Sequence, residues 1–372
     1  MIYLDNAATS FPKPSSVLKR AMRYARSFCG NPGRSGHFLS VRAAEEVYAT
    51  RESVADLLHF PFPERVVFTQ NATHALNLAI KSTLREKSHV LTSDIEHNSV
   101  IRPLELLKRT RGIDYSVFSS AGDVYENLER AARDDTEAVI STLASNVTGK
   151  RIDIGGLSRF CTERGIKLIL DASQLIGHED IDLCRTPADV LCAPGHKALL
   201  GLQGSGFAVF KDAEVRDGLM EGGSGADSRS TEMPPLLPEH YEAGTLATPS
   251  IVSLRAGIEY INEFGINNAE SYLSHLTSLA SDYLREIQGV RLLGSENGIV
   301  CFTVDGYSSS EVAERLNRRH ICVRAGLHCA PSIHKLLGTL EDGAVRASFS
   351  ILNTEADAIG FADAVLKISK NR

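Results

Sequence analysis

The chain has 372 residues, 43% hydrophobic and 23% charged, with a formal net charge of -6. That is enough for a large core and a smaller one, and the acidic balance gives no electrostatic reason to expect nucleic acid or an anionic membrane as partner. No apolar run approaches the roughly 20 residues of a membrane span, and the opening MIYLDNAATS lacks the basic start and apolar stretch of a secretory signal, so a cytoplasmic protein is expected.

Residues 1–14 read as a short extended stretch, with Pro12 and Pro14 marking the entry to a helix over 15–29. The loop 30–37 (GNPGRSGH) is rich in glycine and polar groups. A helix over about 39–59 puts Val47, Val54, Leu57 and Leu58 on one face. From residue 65 an alternation sets in: strands at 65–70, 89–93, 115–119, 138–143 and 167–170, separated by amphipathic helices at 73–84, 99–111, 124–133 and 155–164. Two more apolar runs, 190–192 and one ending at Phe210, flank a loop carrying Pro194, Gly195, His196 and Lys197. Short apolar strands alternating with helices predict a mostly parallel sheet covered on both faces.

The segment 221–248 is dense in glycine, proline and polar residues and long for a loop, so it is expected to be functional or interfacial. Beyond it a helix begins near Ile251, and a second places Leu273, Leu276, Ala280, Tyr283, Leu284 and Ile287 on one face. A strand over 299–304 precedes a helix opened by Ser308 and Glu311, the spacing of a capping box. A short strand to Arg324, a loop to His334, a strand over 345–351 and a helix started by Thr354 with Asp357 complete the pattern. The expected architecture is α/β: a large domain over 1–250 and a smaller C-terminal α/β domain over 251–372, with the first roughly 15 residues expected to pack on the smaller one.

Ligands of open parallel sheets bind outside the carboxyl ends of the strands. After the first strand comes Thr69-Gln70-Asn71-Ala72-Thr73, a turn whose backbone N–H groups and Thr73 hydroxyl suit a phosphate at a helix N-terminus. The following strands end in Asp94, Glu96 and His97; in Ser145 and Asn146; in Asp171, Ser173 and Gln174; and in His196 and Lys197. Polar strand ends are ordinary where they border solvent, and a lysine in a turn is more often a surface group than a reactive one. The chemical selection is less ordinary: a phosphate-type turn, an imidazole, an amide, a carboxylate directly on a buried strand, and a lysine whose partial desolvation would favour the free amine of a Schiff base. Pyridoxal 5'-phosphate calls for that set.

The residues LDNAAT (4–9), DASQ (171–174), GHK (195–197), EAGT (242–245), RAGLHCAP (324–331) and RASFSILNT (346–354), in this order and spacing, resemble the class V aminotransferase group of pyridoxal-phosphate enzymes, and within it the group II cysteine desulfurases and selenocysteine lyases. The resemblance implies fold type I and a homodimer with its active site shared across the interface. It implies that Lys197 carries the cofactor and moves protons at the substrate α-carbon, that Asp171 pairs with the pyridine nitrogen, that His97 lies over the ring and that Gln174 bonds the ring hydroxyl. Ala72, Thr73 and His196 would hold the phosphate, joined by Thr245 from the other subunit; Asn146, Arg346 and Arg324 would bind the substrate. Pro194 stands where many relatives have serine, and Leu327 precedes His328 where group II members often have a second histidine.

Seven cysteines, an odd and scattered set, suit free thiols in a reducing compartment better than a disulfide framework. Cys329, alone in lying beside both a histidine and an arginine in an apparent loop, has the setting that favours a thiolate; the other six read as structural. The resemblance then implies that L-cysteine becomes L-alanine while Cys329 keeps the sulfur as a persulfide, for transfer to an acceptor protein or small thiol in a route such as iron–sulfur cluster assembly. A selenocysteine lyase, a cysteine sulfinate desulfinase or an aminotransferase on the same scaffold are the alternatives. A zinc module from Cys322, His328, Cys329 and His334 lacks a tight pair-and-pair spacing, so no metal is expected. Nucleotide binding lacks both GxGxxG after the first strand and GxxxxGK[ST] anywhere.

Overall fold

A computed structural model describes residues 1–33, 35–226 and 229–370. Arg34 of the glycine-rich loop, and Asp227 and Ser228 of the 221–248 segment, lie outside the described residues. A two-residue strand β1 (Ile2–Tyr3) leads to the helices α1 (Ser15–Ser27) and α2 (Phe38–Leu57). Then come β2 (Val66–Thr69), α3 (Ala72–Thr83), β3 (His89–Ser93), α4 (Asn98–Arg111), β4 (Asp114–Phe118), α5 (Val124–Ala131) and β5 (Thr136–Thr142). The helix α6 (Ile154–Arg164) and the strands β6 (Lys167–Asp171), β7 (Val190–Pro194) and β8 (Gly206–Phe210) complete a seven-stranded sheet ordered β2-β8-β7-β6-β5-β3-β4.

Only β8 runs against its neighbours, because the loop that joins it to β7 holds no crossover helix and a parallel return needs one. Strand alternation feeds two cores. Leu91, Val139, Leu168, Leu170, Leu191 and Phe207 point to one face, and Val90, Ala138, Ile140, Ile169, Cys192 and Ala208 to the other.

The helix α7 (Thr248–Phe264) buries Ile251, Leu254, Ile258 and Ile261 in the first of these cores. The second unit follows: α8 (Ile266–Arg285), β9 (Val290–Glu296), β10 (Ile299–Val304), α9 (Ser309–Asn317), β11 (Ile321–Cys322), β12 (Arg324–Gly326), α10 (Pro331–Leu337), β13 (Ala344–Ser348) and α11 (Glu355–Ser369). Its antiparallel sheet is ordered β12-β13-β10-β9 and packs on α8, α9 and α11 through Leu273, Leu284, Val312, Phe302 and Phe361. A boundary at residue 251 therefore cuts a helix that belongs to the large core, and we propose Gly265, between α7 and α8, as the division. The chain's start crosses it: Ile2 and Tyr3 pair with Ile321 and Cys322, and Leu4 sits in the second core.

The helices opened by Ser308 and Thr354 each carry a complete capping box. Three elements depart from the sequence-based reading, the first of them a strand it did not expect. β9 is joined to β10 by Asn297-Gly298, both at positive φ, the two-residue turn that suits strand twist. The loop expected up to His334 contains α10, with proline at its start and left-handed Gly338 after its end. The strand expected to run to Ile351 stops at Ser348, where the chain turns through Ser350 and Asn353.

Candidate active site

The carboxyl ends of β7, β6, β5 and β3 and the start of α3 enclose a cavity of about 210 Å³. It is lined by Ala72, Thr73, His97, Asn146, Asp171, Gln174, His196, Lys197, Arg324 and Arg346, all expected there from the sequence. A larger cleft of about 450 Å³ opens at the opposite ends of the strands, where several of the charges are paired with each other, as in Arg85–Glu137 and Lys167–Asp189.

Asp171 ends β6 and is buried, its Oδ1 accepting from the Ser173 N–H at 2.9 Å. Its register partner on β7 is Cys192, and Lys197 follows that strand, so carboxylate and amine come from adjacent strand ends. Burial lowers the Lys197 pKa to about 8; Asp171 opposes the shift, and Arg346 and Arg324 add to it. Asn71 caps α3, and Gly206 at the start of β8 allows the two to touch: a Cβ there would lie 2.6–2.7 Å from Asn71 backbone atoms. The α3 amino end is thereby held at the cavity wall, with Thr73 Oγ1 2.8 Å from Ser99 Oγ.

His97 caps α4. Its Nδ1 accepts from the Ser99 N–H at 3.1 Å, which leaves the proton on Nε2, and burial holds its pKa at about 4. His196 is likewise kept neutral, burial taking it to about 4, with its Nδ1 3.2 Å from Thr9 Oγ1. Gln174 donates to the Ala7 carbonyl at 3.2 Å.

Arg346 is 1% exposed, donating to the Asn146 carbonyl at 2.7 Å and to Asp5 Oδ1 at 2.8 Å. The face of β13 carrying Arg346 and Ser348 is therefore as buried as the face carrying Val345 and Ala347. Asn146 donates to the His328 carbonyl at 2.7 Å. Asn146 Oδ1 and Arg346 Nε are left buried without a hydrogen-bond partner. Two unpaired polar atoms on one cavity's walls call for a polar occupant, and the surplus of guanidinium and amine over carboxylate suits an anionic one. The residues thus fit a phosphorylated, ring-bearing cofactor together with an amino-acid carboxylate.

Cys329 is exposed, and Arg324, which lines the cavity, brings Nη2 to 3.6 Å from its sulfur. The Cys329 carbonyl accepts from the Asn98 N–H at 2.7 Å, docking the loop beside His97. Burial pushes the thiols of Cys161 and Cys301 up to about 12 and Cys192 well above its ordinary value. Cys29 and Cys184, read as structural from the sequence, are exposed. Thr245 is exposed and away from this cavity. Among the described residues no cluster of three or more His, Cys, Asp or Glu is placed to hold a metal ion, and no helix is long and apolar enough to cross a membrane.

The sequence reading assigned no role to Asp5 or Ser99. Asp5 lies in the LDNAAT stretch but 341 residues from Arg346, while Ser99, two residues past His97, carried a signal in the geometry of a helix start. Glu96 is fully buried. The Ser93 hydroxyl and the Thr142 N–H donate to its Oε1, and burial raises its pKa to about 8.

A model of the family described as aminotransferase class-V matches residues 2–359. A Methanothermobacter thermautotrophicus protein named "Probable cysteine desulfurase" is 31% identical over 369 residues, covering 96% of this chain and 92% of that protein. One of the same name from Pyrococcus abyssi is 30% identical, covering 100% and 95%. Among solved structures, an apo cysteine desulfurase from Thermococcus onnurineus NA1 matches with a TM-score of 0.93 at 27% identity, over 100% of this chain and 95% of that one. A cysteine desulfurase from Escherichia coli matches with a TM-score of 0.90 at 26% identity, over 99% and 94%.

Proposed function

The chain belongs to the class-V aminotransferase family, and on that premise we propose that it is a pyridoxal-phosphate-dependent cysteine desulfurase, converting L-cysteine to L-alanine with the sulfur transferred to Cys329. The family depends on pyridoxal phosphate, and the architecture is fold type I of such enzymes. Lys197 would carry the cofactor, with Asp171 at its ring nitrogen, His97 over its ring, Gln174 at its ring hydroxyl and Ala72, Thr73 and His196 around its phosphate. Bound there, the cofactor supplies an electron sink that labilises the bonds around the substrate α-carbon.

Arg346 orients the substrate carboxylate, supported by its unpaired Nε, and Asn146 beside it binds the substrate with its unpaired Oδ1 accepting from a substrate N–H. Lys197, with its pKa lowered to about 8, takes and returns the α-proton near neutrality. Cys329 Sγ then bonds to the substrate sulfur as the C–S bond breaks, the electron pair leaving with the carbon. That carbon takes up a proton and departs as L-alanine, and Cys329 holds the persulfide for a sulfur acceptor, protein or small thiol, in a pathway such as iron–sulfur cluster assembly. We place the enzyme in the cytoplasm as a homodimer, with Thr245 reaching the partner's phosphate. The exposed Leu18, Met22, Phe38, Leu39, Val41 and Tyr48 on α1 and α2 support an apolar contact between subunits.

The observation that carries this reading is one side chain shared by two centres: Arg324 lines the Lys197–Asp171 cavity and touches the Cys329 sulfur. The test is alanine release from L-cysteine by cofactor-loaded protein with excess reductant and no keto acid. Equal alanine and sulfide from wild type, lost in Cys329→Ala, is expected. Cleavage of L-selenocysteine or cysteine sulfinate but not L-cysteine would replace the substrate while keeping the site.

A further inference from the structure

The backbone that presents Cys329 is unusual. His328 and Cys329 are consecutive non-glycine residues in the left-handed region, at φ 52° and 59°; side chains disfavour it, so surrounding contacts must hold it. The carbonyls of both residues are gripped from the large unit, by Asn146 and by the Asn98 N–H, each at 2.7 Å. The other grip comes through the His328 side chain, which points away from solvent and lies edge to edge with His334, the ring centroids 5.3 Å apart and the planes within 21°.

The hydrogens along this contact have one self-consistent arrangement. His328 Nε2 lies 3.4 Å from the Arg324 carbonyl, which can only accept, so the proton is on Nε2 and Nδ1 is bare. His328 Nδ1 is 3.2 Å from His334 Nε2, which must therefore be the donor. His334 Nδ1 is then also bare and accepts from the Thr339 hydroxyl at 2.8 Å. A directed chain runs from Thr339 through two imidazoles to the carbonyl of Arg324, the residue whose guanidinium meets the Cys329 sulfur. Burial keeps both rings neutral, taking His328 to about 3 and lowering His334, and the chain needs both neutral.

We propose that His334 and Thr339 are positioning residues for sulfur transfer: through the chain they fix the tautomer and place of His328, and so hold Cys329 with its sulfur beside Arg324. Neither lines the cofactor cavity. The proposal rests on Cys329 being the sulfur-accepting thiol, and its test has a readout independent of that reading.

The variants are Thr339→Val, which keeps the shape and removes the donor, Thr339→Ser, which restores it, and His334→Gln. In histidine-labelled wild type, nitrogen NMR should find both rings protonated on Nε2, and Thr339→Val should shift the His334 signals. The iodoacetamide rate at Cys329 should change severalfold in Thr339→Val and His334→Gln and return in Thr339→Ser. The turnover number for L-cysteine should fall about tenfold in the same two variants, with cofactor absorbance unchanged. An Nδ1–H tautomer at His334, or alkylation and turnover both within twofold of wild type in Thr339→Val and His334→Gln, overturns the proposal. Shifted alkylation in protein that releases no alanine from L-cysteine upholds the positioning role and fails the desulfurase reading instead. If Thr339→Val does not fold, the tautomer measurement on wild type decides alone.

Discussion

Lys197 sits in a pocket that disfavours its charge, and this has a measurable sign. A base whose pKa is lowered on folding destabilises the fold while protonated; the penalty is complete below pH about 8 and fades as pH climbs toward the ordinary lysine value of 10.5. Cofactor-free Lys197→Met is therefore expected to be more stable than wild type at pH 7, by about 2–3 kcal/mol, with the gap closing by pH 10. Urea unfolding at the two pH values checks it, and a gap independent of pH would contradict the assignment. Much of the cavity was legible at this scale because side chains that line it lie at or just past the ends of buried strands: Asp171 closes Leu168–Leu170, and Lys197 comes in the loop after Val190–Pro194. Asp5 and Ser99 were less legible, since their roles arise from partners that only folding brings near. Pro194 gives its part of the cavity wall no hydroxyl, but Ser99, fixed between Thr73 and His97, sets one close by.

At the scale of elements, the EAGT segment is anchored by a buried ion pair. Arg51 on α2 donates to Glu242 through both terminal nitrogens, at 2.8 and 2.5 Å, and to the Val66 carbonyl, while Glu242 accepts from the Phe68 N–H at 2.6 Å. Arg51→Met leaves a buried carboxylate without its cation and is expected to destabilise the protein by about 3–5 kcal/mol, with the Arg51→Met/Glu242→Gln double variant losing less; denaturant titration of all three proteins would show it. The alternating helices and strands of the large unit were readable because each has its own period. β9 was passed over although its Asn297-Gly298 turn was visible in the sequence, because only Leu292 and Leu293 mark its interior and most of its side chains are half-buried. The short α10 carries a start and a stop signal with too few residues between them to display a period.

For the molecule as a whole, spatial strand order was beyond the sequence: nothing local says that β2 lies beside β8, a neighbour set by long-range pairing. The reversed direction of β8, by contrast, follows from the helix-free loop before it. The shared-site reading of Thr245 makes its own demand. Neither Lys197→Ala nor Thr245→Ala protein should be fully active alone, yet in a dimer of one of each, one site has both residues intact. Mixing equal amounts under exchange should recover about one quarter of wild-type activity, with light scattering giving twice the 40.4 kDa chain mass. No recovery in proven heterodimers would place Thr245 in its own chain's site or in none.

The pairing of residues 2–3 with 321–322, and of Asp5 with Arg346, sets a timetable for the ribosome. The Lys197–Asp171 half of the cavity can form once the large sheet has been made, but Asp5, Ala7 and Ala8 must idle until the last strand emerges, Asp5 preceding its partner Arg346 by 341 residues. At roughly 5–20 residues per second that wait is on the order of tens of seconds. Lys197 is therefore in place before it is enclosed, and between the emergence of β8 and that of β13 a nascent chain presents an open, half-walled pocket.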